Sequence, residues 1–175
     1  MIAKMNSLCD PEIIAALYEA SAAGVRIDLI IRGICCLKVG IPGVSEHISV
    51  RSIVGTFLEH SRIFYFQNGG QEEFYMGSAD WMPRNLDKRV EILFPVEDED
   101  LKDEVRHILE IQLADTMKAH ELKPDNKYEK IDRRGKTLLC AQDYFCKEAV
   151  ERAKELEPDP RLTRVFIPAE PSEES

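Results

Sequence analysis

The sequence predicts an α/β fold: a mixed β-sheet flanked by helices, with a small hairpin and a last helix at the C-terminal end. Three observations predict it. A well-started helical segment over residues 10–24 runs directly into the apolar stretch 25–31, and helix followed by buried strand is the grammar of α/β chains. Strand-like stretches at Arg62–Phe66 and Glu73–Gly77 flank Asn68-Gly69-Gly70, a hairpin turn. A further amphipathic helix follows the acidic block at 97–100.

Taken in order, Asp10-Pro11-Glu12 starts the first helix, with a capping carboxylate and a proline where its missing N–H is harmless. Ile13, Ile14, Leu17 and Ala20 or Ser21 repeat at helical spacing, and Gly24 ends it. Residues 25–31 alternate and then become wholly apolar, as a buried strand does. Residues 33–44 form a loop with its turn at Gly40-Ile41-Pro42-Gly43. A helix is expected from about Val50 to Leu58, then the hairpin, then a loop over 78–85 and a strand over 89–94. The acids at 97–100 open the next helix, favourably placed against its dipole, with Leu101, Val105, Ile108 and Leu109 on one face. Residues 116–122 and 128–131 read as a hairpin around Lys123-Pro124-Asp125-Asn126, and 141–156 as the last helix. Residues 157–175, with four prolines and five acids, are expected to be disordered, leaving residues 1–156 as the folded domain.

Composition excludes several function classes. The chain has 175 residues, 44% of them hydrophobic and 31% charged, which suits one soluble domain. No apolar run approaches the ~20 residues that cross a bilayer. Residues 1–6 lack the charged-then-apolar design of a leader, so a cytoplasmic setting is expected. A net charge of −9 argues against nucleic acid and anionic membrane as partners. Six of those acids, against one lysine, crowd into residues 97–104, so a local anion site remains compatible with the balance. The five cysteines form no CxxC pair, and reduced, mostly buried thiols are expected.

The residues that suit chemistry suit phosphate. His60 stands just before the strand Arg62–Phe66, where an imidazole can reach a cleft from a rigid support and exchange protons near neutral pH. Arg32 ends an apolar strand, and a guanidinium there meets two phosphate oxygens at once while Gly33 lets backbone approach closely. Glu91 on a neighbouring strand is the candidate to orient His60. Arg84, within Ser78-Ala79-Asp80-Trp81-Met82-Pro83-Arg84-Asn85, adds a cation on a loop. Plainer readings stand beside these: a structural histidine, a surface arginine, a solvent-facing glutamate. His47, His107 and His120 carry no such context, and Trp81 reads as a packing anchor.

Read together, Ala3-Lys4-Met5-Asn6-Ser7-Leu8, Ile31-Arg32-Gly33-Ile34-Cys35-Cys36-Leu37, Ser52-Ile53-Val54-Gly55, Phe57-Leu58-Glu59-His60-Ser61-Arg62-Ile63 and Ser78-Ala79-Asp80-Trp81-Met82-Pro83-Arg84-Asn85-Leu86-Asp87 resemble bacterial polyphosphate kinase, over about residues 2–150. The resemblance implies a phospholipase-D-like half-domain, the second of two such halves that face each other. It implies ATP, ADP and polyphosphate as substrates and Mg2+ as cofactor, with metal ligands expected outside this chain. His60 matches the family's second histidine and Arg32 its phosphate-binding arginine; Lys4 and Arg62 add charge. The phosphorylated histidine belongs to the first half, which has no match here, so the resemblance implies a truncated C-terminal part that is inactive alone. Two other readings follow: a non-catalytic polyphosphate-binding or docking module that self-associates, or a phosphodiesterase formed by two copies. Arg62 where the wider superfamily has lysine argues against the last.

Overall fold

The computed structural model describes residues 1–155; the acidic tail expected to be disordered lies outside the described residues. The chain divides into two compact units, Met1–Tyr144 and a second from Phe145 onward. In the first unit an eight-stranded sheet runs in the order β6-β5-β4-β1-β2-β3-β7-β8. Its strands are β1 (Ile2–Met5), β2 (Ile27–Ile31), β3 (Ile48–Ile53), β4 (Arg62–Phe66), β5 (Glu73–Gly77), β6 (Leu93–Pro95), β7 (Ala119–Leu122) and β8 (Tyr128–Lys130). The helices are α1 (Pro11–Ala22), α2 (Pro83–Lys88), α3 (Glu99–Leu113) and α4 (Ala141–Glu155), the last entering the second unit. There Arg152 and Glu148 pair one helical turn apart.

The pleat sorts side chains onto two faces. Ala3, Met5, Leu29, Ile31, Val50 and Phe64 bury one face with Leu17 of α1. Ile30, Ile53, Ile63 and Phe74 bury the other with Val105 and Leu109 of α3. The sheet is thus a middle layer between helices, and each full burial of such a side chain contributes about 1.5–3 kcal/mol. Helix α1 starts as expected: the Asp10 carboxylate accepts from the N–H groups of Glu12 and Ile13 at 3.1 and 2.9 Å. Asp98 caps α3 in the same way, accepting from Leu101 N–H at 3.1 Å. Of the face expected on α3, Leu101 is exposed, because the helix's first turn reaches past the sheet-facing core.

Three local expectations are corrected, and one strand was not foreseen. The helix expected from Val50 is strand β3, followed by an irregular segment through Ser61. Ile48, Val50 and Ile53 are β-branched, with Ile48 and Val50 on one face and Ile53 on the other, and β3 pairs parallel with β2 and antiparallel with β7. The strand expected at 89–94 shrinks to β6, and just before it Pro83-Arg84-Asn85-Leu86-Asp87-Lys88 coils into α2 with proline at its first turn. Strand β1, central to the sheet, escaped the pattern because the buried Lys4 interrupts its apolar run. Of the five cysteines, all free, only Cys140 is buried; Cys36 and Cys146 are exposed. Burial and a hydrogen bond with Cys36 push the Cys9 thiol up to about 11.

Candidate active site

Strands β1, β2 and β3 are parallel, so their carboxyl ends share one edge of the sheet. Residues just past those ends, Asn6 after β1 and Arg32 after β2, emerge together. Strand β4 runs antiparallel to β1, with Ile63 opposite Lys4, and Gly77 of β5 lies opposite Arg62. The start of β4 and the end of β5 therefore reach the same edge, bringing His60, Arg62 and Asp80 to it. Ligands of α/β sheets gather at such edges.

One hydrogen-bonded chain runs across the edge. Arg32 donates from Nε and Nη2 to the Asn6 Oδ1, at 3.2 and 3.1 Å. Asn6 donates in turn to Asp80, from its backbone N–H at 2.7 Å and its amide at 3.1 Å. Asp80 also accepts two bonds from Arg62, Nε to Oδ1 and Nη2 to Oδ2, each 3.1 Å. The remaining Arg62 nitrogen, Nη1, donates to the His60 carbonyl and contacts the ring Nδ1, both at 2.9 Å. Arg62 and Asp80 are only 12% and 11% exposed in their side chains, so their charges pair where few waters screen them. Burial works to raise the Asp80 carboxyl, but hydrogen bonds from Arg62 and Asn6 outweigh it, and the net shift is below the ordinary aspartate range. Gly33 is needed here for a close approach: a Cβ would lie 2.9 Å from the Asn6 carbonyl.

Comparison with known proteins decides the family. Residues 1–142 match the family model described as polyphosphate kinase C-terminal domain 2. The chain belongs to that family. It is 56% identical over 154 residues to polyphosphate kinase 1 of Chlorobaculum tepidum, covering 88% of this chain and 22% of that protein. It is 54% identical over 168 residues to polyphosphate kinase of Synechocystis, covering 94% of this chain and 22% of the relative. The chain thus spans about a fifth of the length of the curated relatives it matches. The crystal structure of polyphosphate kinase from Porphyromonas gingivalis superposes with a TM-score of 0.83 at 42% identity, covering 89% of this chain and 24% of that one. The α/β sheet and helices are as the sequence predicts, and the family is the one its motifs resemble.

Within this polyphosphate kinase domain the residues expected from sequence divide into two sets. His60 and Arg32 terminate the hydrogen-bonded chain, His60 exposed and Arg32 half-buried. Arg62 directs four of its contacts to Asp80 and His60. Lys4 is 2% exposed and lies under the segment that carries His60. Its ammonium donates to Ser61 Oγ at 2.9 Å and Ser61 O at 3.1 Å and pairs with Glu59 at 3.6 Å. Burial lowers its pKa, Glu59 opposes that, and the neighbouring Arg32 and Arg62 lower it further. Lys4 is an anchor of that segment. Gln112 and Gln142 complete the anchorage, donating to Glu59 at 2.9 and 3.2 Å.

Glu91 does not contact His60. β6 starts only at Leu93, so Glu91 lies outside the strand, and its carboxylate turns to Ser78 and Asn85, the latter donating at 3.0 Å. Those bonds, Ser78's first, hold its carboxyl below the usual range despite partial desolvation. Arg84 is exposed on α2. The contact to the His60 ring that Glu91 was expected to make comes from Arg62, which Asp80 holds in turn.

Among the described residues the carboxylates nearest this edge already have partners, which bears on the magnesium that the family implies. Asp80 is taken by Arg62 and Asn6, Glu59 by Lys4 and two glutamines, and Glu91 by Ser78 and Asn85. Among the described residues no cluster of three or more His, Cys, Asp or Glu could hold a metal ion. No helix among them is long and apolar enough to cross a membrane.

Proposed function

We propose that this chain supplies one side of the active site of an ATP:polyphosphate phosphotransferase, with His60 and Arg32 contacting the phosphate that is transferred. In this reading an imidazole nitrogen borne by an upstream half attacks the γ-phosphorus of ATP. The P–O bond to ADP breaks, ADP leaves, and a terminal polyphosphate oxygen then displaces the histidine from phosphorus. Both steps run in reverse as well. The charge spreads over phosphate oxygens throughout, and stabilising it is most of what the protein must do. Arg32 keeps its Nη1 donors for those oxygens while Asn6 holds Nε and Nη2. His60, steadied by Arg62, offers its Nε2–H. The chain alone lacks the nucleophile and is inactive in this reading; the magnesium would be held by upstream residues. The observation that carries it is the single hydrogen-bonded chain linking the two family-matched residues.

Titration of the 15N-labelled chain with tripolyphosphate tests it. Arg32 side-chain and His60 ring resonances are expected to move together, and Arg32→Ala to weaken binding about tenfold, the worth of one charge-assisted contact. Shifts confined to residues remote from the carboxyl edge would overturn the reading. A docking module is the second reading, favoured by the exposed Val54, Phe57 and Leu58 beside His60 and by Ile92, Leu93 and Phe94 at β6. Self-association without tripolyphosphate binding would support it instead.

A further inference from the structure

Asp80 touches neither end of the candidate site, yet both ends hang from it. Its two carboxylate oxygens accept from Arg62 on one side and Asn6 on the other. We infer that Asp80 is a positioning residue: through Arg62 it fixes the imidazole of His60 with its proton on Nε2, and through Asn6 it fixes the guanidinium of Arg32. The inference deepens the proposed phosphate site and names the group that sets its geometry.

The argument is one of donors and acceptors. A guanidinium has only donors and stays charged. Its Nη1 lies 2.9 Å from the His60 Nδ1, so Nδ1 must present its lone pair there. A neutral imidazole has one N–H, which leaves it on Nε2. An imidazole protonated on Nδ1 would set donor against donor at that distance. Arg62 can hold this pose only while something holds Arg62. Two 3.1 Å bonds to Asp80 take Nε and Nη2 and leave Nη1 pointing to the histidine. Without the carboxylate, Arg62 would stand unpaired near the cations Lys4 and Arg32, and repulsion would drive it outward. Asparagine at position 80 keeps the size but offers one acceptor and an NH2 that faces Arg62 donor to donor. Asn6 shares the same carboxylate, so the disturbance reaches Arg32 too. Coupling across the site thus runs through one side chain.

The test reads the histidine directly, with no phosphate present. Ring 15N shifts of His60 in the full chain, recorded at alkaline pH, are expected to show Nε2 protonated and Nδ1 bare. In Asp80→Asn the same ring is expected to become a fast-exchanging mixture of tautomers, and the Arg32 Nε resonance to shift, while the backbone fingerprint of the sheet persists. Tripolyphosphate affinity of that variant is expected to fall about tenfold. A wild-type His60 protonated on Nδ1 would overturn the inference, whether or not the variant folds. So would an Asp80→Asn protein whose His60 and Arg32 resonances match wild type. If the wild-type ring has the expected tautomer but tripolyphosphate does not bind, the phosphate reading fails and the positioning role stands.

Discussion

A buried charge is costly unless partnered, and this domain holds three such groups close to its carboxyl edge. Lys4, Asp80 and Arg62 are each enclosed and each paired, so removing one partner strands another. Asp80→Ala is expected to destabilise the fold by about 3–5 kcal/mol, read by urea denaturation. The sign of its pH dependence follows from the lowered carboxyl. The unfolded chain takes up its proton first, so the stabilisation is complete above the ordinary aspartate value of 3.8 and is lost as pH falls through the folded value. A folded Asp80→Asn variant should therefore show a shallower loss of stability below that pH than wild type; an equal slope would show that the carboxylate is not held by Arg62. At this scale the sequence was half legible. His60 and Arg32 stood out as residue types at the ends of apolar stretches. Asp80 and Asn6 did not, because their meeting spans 74 residues and local spacing carries no trace of it.

At the scale of elements, patterns with a chemical cap or a turn residue read true. Asp10-Pro11 gave α1, Asn68-Gly69-Gly70 the β4–β5 hairpin, and the acids before α3 its start. Segments whose shape depends on distant partners misread. Val54-Gly55-Thr56-Phe57-Leu58 looked helical by composition, yet it is exposed and held by a side chain far along the chain. The Phe57 N–H donates to Gln142 Oε1 at 3.0 Å and Gln142 Nε2 returns a bond to Phe57 O at 2.8 Å. Gln142→Ala is expected to free this segment at a cost of about 1–2 kcal/mol in global stability. Chymotrypsin should then cleave after Phe57 markedly faster than in wild type, with the sheet still intact by circular dichroism. Unchanged cleavage would mean that the segment is held by Lys4 and Glu59 alone.

For the molecule as a whole, the layered sheet and the family follow from sequence and structure together, and they set what the domain can contribute. The chain spans 22% of the Chlorobaculum tepidum relative, and its carboxyl edge carries a histidine and an arginine tied to one carboxylate. The proposed role as one side of a larger site rests on that arrangement. The most direct measurement mixes this chain with the upstream portion of that polyphosphate kinase and follows polyphosphate made from ATP. Synthesis is expected only in the mixture, falling at least a hundredfold with His60→Ala and with Arg32→Ala, the scale on which a positioned acid or donor acts. Synthesis that survives both substitutions unchanged, or a mixture that makes none, would contradict the account.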